Sequence, residues 1–520
     1  MVYPDKPPAR NPEVGFFDED DTKRIIQEIA KAERLTIFVG AGIAADLEIP
    51  NWSGLVARLL ERMERRKHED DAACRKAVRF AIDFFHLMPT ASIVDALYAD
   101  EYGDQAVRRR NEDIAAILYP RNGQPAKAHV PPDALAIYVL RLARAKRLAG
   151  CDVHIVTTNY DDSLEWIADN NTDALSDLGS DGVAVFSNDD AEDDGKRPGV
   201  PVSHLHGLIP RAENGREVVF SEREYIRWDR ESRWRDYLAR RVAGGGVTLF
   251  VGASLRDYNI AAMIRRFSRS DVYALLPVED EVGAYSVKNK EKLPRITERY
   301  ASLRGQHLGV EVLRPDFYGQ VCQFLNEAAI PTDLDAANYS DRLRSWWQSW
   351  QGDQPYGTNL LVERCESLRD FCRREHAQLA NVEHVKAEIW VRANPDVRQL
   401  QLYSTSQTVV LPGEGYWPHS TKIEHLSRYA AVSALAARSA TERRVDYRND
   451  NRWTHCLAVP LILPEKPYFE LPVGVMILLL HAPGVEEDKY FGDAHHEHMR
   501  DLAVRMKGIG QNFLRPVSSS

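Results

Sequence analysis

An amide and an imidazole stand in two short segments that each follow an apolar run. Asn159 lies in Thr157-Thr158-Asn159-Tyr160-Asp161, and His206 in His204-Leu205-His206-Gly207. An Asn side chain donates and accepts hydrogen bonds without titrating, so it can hold a hydroxyl or a water in one pose. A histidine exchanges its proton near neutral pH, which suits a general base. Two glycine segments complete the set: Gly40-Ala41-Gly42, and Gly252-Ala253-Ser254 followed by Asp257. Glycines after a strand let backbone N–H groups approach a phosphate at the start of a helical turn. Each segment alone reads more readily as a strand-to-helix turn, with Asn159, Asp161 and Asp257 acting as caps.

The elements that must position these residues follow from the hydrophobic pattern. Short β-branched runs at 35–39, 153–156, 200–205, 247–251, 272–276 and 310–313 read as buried strands, and 218–220 as a further one. Alternating with helices, they predict a mostly parallel sheet of Rossmann-like type, with ligand groups at the strand C-terminal ends. If the strand before Gly207 stays regular, His204 shares a sheet face with His206 and sits one rung deeper, as a structural histidine. Residues 53–147 carry helical periodicity, with Leu55, Leu59, Leu60 and Met63 on one face, and read as a helical insert between two strands. The acidic stretch 169–194 is expected to be a loop or short hairpin, and residues 1–20 an extended N-terminal arm. Pro331, Gly352, Pro355 and Gly357 mark 331–357 as a linker, although Trp346, Trp347 and Trp350 lie on a helical pattern within it.

In this order and register the four segments resemble the NAD-handling core of the sirtuin-like family, over about residues 25–330. Ile49-Pro50-Asn51-Trp52 stands where that family carries "GIP" and an aromatic, which implies that Pro50 and Trp52 help close a loop over the dinucleotide. The chain departs at Ala44-Ala45-Asp46, where deacetylase sirtuins place Ser. Asp46 either contacts a ribose hydroxyl or caps the turn. The segment containing Thr158, Asn159 and Asp161 matches the "TTNYD" form of bacterial sirtuin-like proteins, and implies that Asn159 holds the nicotinamide ribose or the attacking water. His206-Gly207 matches the family's "HG" pair and implies a base acting on the ribose hydroxyl or directly on water. Gly252, Ser254 and Asp257 resemble the segment at the adenosine end of the pocket.

The six cysteines contain no C-x-x-C pair, so the zinc ribbon of the deacetylase sirtuins is missing and no metal is expected. Reduced, mostly buried thiols are expected instead. The zinc-less bacterial branch implies an NAD+ glycohydrolase, which releases nicotinamide and ADP-ribose and often serves as an anti-phage effector. Two other classes stay open: a sensor that binds NAD or ADP-ribose without turnover, and an NAD-dependent deacylase or ADP-ribosyltransferase.

Residues 358–520 change pattern: helix, alternating strands, a helix at about 423–438, two long apolar strands and a closing helix. They resemble a GAF domain, an α+β fold that binds small ligands or builds dimer interfaces. The resemblance implies a regulatory or dimerisation domain, a homo-oligomer, and a small-molecule trigger or a defence-system partner protein. A formal net charge of −10 argues against direct nucleic-acid binding. No run of 18 apolar residues exists, so no membrane span is expected, and the polar start at Met1-Val2-Tyr3-Pro4 makes the expected localisation cytoplasmic.

Overall fold

The computed structural model of the chain describes residues 15–65, 71–120, 134–170, 183–186, 199–211, 218–231, 246–253, 255, 264, 271–277, 293–330, 338–352, 358–392, 399–407, 420–422, 430–438, 440–444, 453–466, 469–485, 490 and 496–515. Seven strands form one sheet: β1 (Arg34–Val39), β2 (Asp152–Thr157), β3 (Val183–Phe186), β4 (Val200–His204), β5 (Val247–Val251), β6 (Asp271–Leu275) and β7 (Glu311–Leu313). Their order is β3-β4-β2-β1-β5-β6-β7, and every pairing is parallel. Strand β5 is buried at every position, and β1 at all but its first. Such strands are covered on both faces, which is why they read as unbroken apolar runs.

Helix α1 (Asp20–Lys31) precedes β1, with Asp20 and Asp21 at its positive end and Ile25 and Ile29 in the core. Between β1 and β2 lie α2 (Trp52–Arg65), α3 (Asp71–Phe85), α4 (Leu87–Tyr102), α5 (Ala106–Leu118) and α6 (Leu135–Leu148). This matches the expected helical insert. Helix α6 is buried along most of its length and lies against β2. After the sheet strands come α7 (Ser163–Asn170), α8 (Glu222–Glu231), α9 (Leu293–Leu308) and α10 (Tyr318–Ala329).

Three expectations change. The acidic stretch 169–194 contains β3, which pairs parallel with β4 as the edge of the sheet. Residues 218–220 form no strand: the Val219 N–H donates instead to the His206 carbonyl, at 2.9 Å. The end of the expected N-terminal arm is anchored, because Phe16 and Phe17 are buried against Phe324 and Tyr339. Residues 1–14 lie outside the described residues.

A second sheet is antiparallel, in the order β10-β9-β8-β13-β12-β11. Its strands are β8 (His384–Arg392), β9 (Gln399–Thr405), β10 (Ser420–Lys422), β11 (Thr441–Arg444), β12 (His455–Lys466) and β13 (Phe469–His481). Helices α11 (Tyr339–Gly352), α12 (Thr358–His376), α13 (Ala430–Ala437) and α14 (His496–Leu514) accompany it. The fold class is therefore the expected one, an α/β layer followed by an α+β layer. The segment expected as a linker is largely α11. Trp346 and Trp350 are buried there, and their indole N–H groups donate to the Leu514 and Phe513 carbonyls at the end of α14.

A buried ionic cluster joins the two sheets. Glu470 of β13 accepts from Tyr138 Oη and Arg141 of α6, at 2.7 and 2.8 Å, and from Arg438 after α13. Arg438 is 1% exposed and also donates to Tyr138 Oη and to Gln323 of α10. Burial by itself would raise the Glu470 pKa, but Arg438 and Arg141 hold the carboxyl down at about 2. Its contribution to stability is complete above the ordinary carboxylate pKa and is lost as pH falls toward 2. Removing one member of such a cluster strands buried charge, at a cost of about 3–5 kcal/mol. We expect Arg438→Met to lower the melting temperature of the full chain, and the difference from wild type to shrink as the pH is taken from 5 to 2. An unchanged melting temperature at neutral pH would show that the cluster adds nothing to the fold.

Candidate active site

Four parallel strands end side by side, and each delivers one of the segments singled out in the sequence. In the order β4-β2-β1-β5 these are the turns at His206, Asn159, Gly40 and Gly252. The sheet changes direction between β1 and β5, because the chain builds outward from β1 through β2 on one side and through β5 on the other. Ligands of open α/β sheets bind outside the carboxyl ends of the strands at such a switch point.

The two glycine turns interlock. The Gly40 N–H donates to the Val251 carbonyl at 3.1 Å and the Gly42 N–H to the Gly252 carbonyl at 2.9 Å. A Cβ at Gly40 would stand 2.6 Å from the Gly252 oxygen, and one at Gly42 would stand 2.8 Å from the Gly252 Cα. Gly252 itself has φ of 62°, which favours glycine. The expected role of these N–H groups was phosphate contact. Here those of Gly40 and Gly42 are engaged with the neighbouring strand end, and the missing side chains serve the backbone packing. Ala41 opens a 3-10 helix (Ala41–Leu47), and Tyr318 Oη donates to the Gly42 carbonyl at 3.2 Å. Ser254 and Asp257 lie outside the described residues.

Asp46 Oδ2 accepts the Leu135 N–H at 3.0 Å, so it caps the start of the distant α6 rather than its own turn. Asn51 accepts the Gly54 N–H and the Ser53 hydroxyl at the start of α2. Pro50 and Trp52, on either side of it, are half-buried. Trp52 packs edge-on against Tyr160 and Phe220, with ring centroids 6.0 and 5.1 Å away. It thereby ties the loop after β1 to the turns after β2 and β4.

Asn159 is held on several sides. Its N–H donates to Thr157 Oγ1 at 3.0 Å, and its Nδ2 to the Gly40 carbonyl at 3.2 Å. Its carbonyl lies 3.0 Å from His204 Nδ1. Thr158 is half-buried beside it. Asp161 is buried, and its Oδ1 accepts the Ser163 N–H at 3.1 Å, so the side chain caps α7 as the cap alternative foresaw. Burial pushes the Asp161 carboxyl up, and the nearby His204 partly opposes that.

Strand β4 stops at His204, and residues 205–207 turn, with Gly207 at φ of 89°. The two histidines accordingly do not keep the regular alternation. His204 faces Glu165 of α7. His206, 2% exposed, packs against α8, with the Tyr225 and Trp228 rings 4.8 and 5.3 Å away and nearly perpendicular. Tyr225 Oη pairs with His206 Nδ1 at 3.3 Å. Glu224 fixes this helix: its carboxylate accepts the Phe220 and Ser221 N–H groups and meets the fully buried Arg110 of α5. Tyr225, Trp228 and Glu165 escaped the sequence reading. The i, i+3 spacing of Tyr225 and Trp228 was the only signal, and it is an ordinary packing pattern.

The five described cysteines, Cys151, Cys322, Cys365, Cys372 and Cys456, are buried thiols not joined in disulfides. Among the described residues no group of three His, Cys, Asp or Glu side chains could hold a metal ion. No helix among them is long and apolar enough to cross a membrane. The interlock of the glycine turns makes Gly40→Ala a stringent probe, since an overpacked core position costs about 1–3 kcal/mol. We expect Gly40→Ala to lower the denaturation midpoint of the full chain. Gly508→Ala in α14, where a Cβ meets nothing within 4 Å, should leave it equal or higher. Equal midpoints for the two variants would contradict the interlock.

Comparison with known proteins matches residues 153–299 to the family described as SIR2-like domain. Defense-associated sirtuin 2 of Bacillus subtilis is 22% identical over 255 residues, which are 48% of this chain and 21% of that protein. The chain thus spans about a fifth of the length of that relative. Among solved structures, a Sir2 homolog in complex with NAD is 15% identical, with TM-score 0.25, covering 59% of this chain and 93% of the other. The GAF domain of a two-component sensor histidine kinase from Bacillus halodurans is 11% identical, with TM-score 0.18, covering 30% of this chain and 96% of the other. At TM-scores this low neither superposition bears on function. Residues 153–299 thus resemble a SIR2-like domain, and Asn159 and His206 both fall inside the matched stretch.

Proposed function

We propose that the chain is an NAD+ glycohydrolase that cleaves NAD+ to nicotinamide and ADP-ribose. The observation that carries this reading is the row of strand ends, with Asn159 and His206 in the turns after adjacent strands β2 and β4, beside the β1 and β5 turns. Cleavage of a nicotinamide–ribose bond passes through an oxocarbenium-like sugar, as in glycoside hydrolysis. Such a transition state calls for a group that orients the ribose or water and a base that takes a proton as charge develops. Asn159 supplies the first, because its backbone and Nδ2 are tied down while the amide stays uncharged at any pH. His206 supplies the second, and its Nδ1 contact with Tyr225 and its two flanking rings fix the plane of the imidazole. The aromatic surroundings of Tyr225 and Trp228 also suit a flat, cationic nicotinamide ring.

Similarity to a defence-associated sirtuin supports a role as an NAD+-depleting effector in anti-phage defence. In that role Gly40, Ala41, Gly42, Pro50 and Trp52 border the dinucleotide. The antiparallel sheet and its helices act as the regulatory or dimerisation element of a homo-oligomer, answering to a small ligand or a partner protein.

Purified full-length chain incubated with NAD+ should release nicotinamide and ADP-ribose in equal amounts. His206→Ala should lower kcat by about 10²–10⁴-fold, the usual worth of a positioned acid–base group, and Asn159→Ala by about 10²-fold through lost positioning, with circular dichroism showing both variants folded at the assay temperature. NAD+ returned intact by the wild-type chain would favour the sensor alternative. Full turnover in both variants would sink the assignment of these two residues.

A further inference from the structure

His204 is 1% exposed, yet each of its ring nitrogens faces an oxygen atom. Nδ1 lies 3.0 Å from the Asn159 carbonyl oxygen, and Nε2 lies 2.7 Å from Glu165 Oε1. A carbonyl cannot donate, and an ionised carboxylate cannot either. With a carboxylate at Nε2 and a carbonyl at Nδ1, both contacts are hydrogen bonds when both nitrogens carry hydrogen, as they do in an imidazolium. Burial on its own works against that charge. The Glu165 carboxylate and its hydrogen bond, the Asn159 carbonyl and the more distant Asp161 carboxylate outweigh it and raise the His204 pKa above the ordinary value. Glu165 comes from α7, and Asn159 and Asp161 from the turn after β2. Asp162 in the same turn is engaged by Arg211, at 2.7 Å.

The placement of this charge gives it a task. His204 is the last residue of β4, two residues before His206, and it grips the backbone of Asn159 across the sheet. Thr157, opposite His204 in the β2–β4 register, receives the Leu205 N–H on its carbonyl at 2.9 Å. One buried side chain therefore bolts together the two turns that carry the proposed chemistry. Its second partner, Glu165, stands on the helix that Asp161 caps, so the clamp is anchored in α7.

We propose that His204 is a positioning residue: an imidazolium locked by Glu165, it sets the spacing between Asn159 and His206. Loss of its proton at alkaline pH slackens the Asn159 turn. This rests on the glycohydrolase reading of the same site. A positioning group two residues from His206, acting only through geometry, leaves KM largely alone and changes kcat, because displacement of a catalytic group by about 1 Å costs on the order of 10²-fold.

The test compares NAD+ cleavage against pH for the full-length wild type, Glu165→Gln and His204→Gln. Glu165→Gln keeps an acceptor for Nε2 but removes the charge that holds the proton. It should move the alkaline limb of the kcat profile to lower pH by roughly 1–3 units, the effect of an opposite charge at this distance, with KM within about twofold of wild type. His204→Gln should lose kcat by about 10²-fold at every pH and lack that limb. Superimposable profiles for wild type and Glu165→Gln would overturn the proposal.

A second arm needs no turnover. Because the folded-state pKa is raised, the stability that His204 contributes is complete below its ordinary value of about 6.5 and is lost as pH rises through the folded value. The melting-temperature advantage of wild type over His204→Gln should therefore be widest near pH 6 and narrow toward pH 10. A constant difference across that range would refute the imidazolium. If the wild type releases no nicotinamide at any pH, the glycohydrolase reading falls, and this second arm still decides the charge on His204.

Discussion

The molecule turns on the direct contact of two backbones at the centre of its parallel sheet. Where β1 and β5 end, Gly40 and Gly42 lie against Gly252 and Ala253 with no room for a Cβ between them. Below that contact Phe38 and Phe250 stack at 4.7 Å, so the pairing continues into the core. The other parts of the candidate site lean on the same turn. Asn159 bonds the Gly40 carbonyl, Tyr318 the Gly42 carbonyl, and Asp46, at the end of the 3-10 helix, caps α6. A site assembled from four strand ends needs one fixed reference, and this contact supplies it.

Helix α6 extends that reference to the second sheet. Its first turn is capped by Asp46, and its side chains Tyr138 and Arg141 reach Glu470 of β13. Its last turn returns to the first layer, with Lys146 donating to the Ala30 carbonyl and Arg147 to that of Gly199. One buried helix thus touches the site-forming loop at one end, the second sheet along its side and the start of β4 at the other end. Charges in such a position are costly unless fully partnered, and here the partners come from four different elements, so the cluster specifies one packing of the two layers.

Much of this was legible because parallel strands covered on both faces leave an unmistakable trace. The runs at 35–39, 153–156 and 247–251 are apolar for as long as the strand lasts and stop at a turn. Where the trace failed, the reason was non-local. Val218, Val219 and Phe220 look like a strand, but their partners are His206, Tyr160 and the Glu224 carboxylate, none of them a strand neighbour. Strand β3 was hidden in an acidic stretch, because four apolar residues at a sheet edge carry little weight among so many charges. The tryptophans of α11 read as part of a linker until their indole N–H groups met carbonyls more than 160 residues away.

The sequence by itself determined which residues stand at strand ends and in what order. Those facts follow from local pattern, an apolar run broken by Gly40, Thr157, Gly207 or Gly252. Sheet order, by contrast, depends on backbone pairing between strands far apart in the chain, and only the tertiary structure set β4, β2, β1 and β5 side by side. The same holds for the two histidines. Their spacing of two suggested one shared face. The strand instead ends at His204, because its ring is drawn to Glu165 and Asn159, while the turn through Leu205 delivers His206 to the aromatic face of α8. Which imidazole meets Glu165 and which meets the α8 aromatics was decided by partners that no local pattern records.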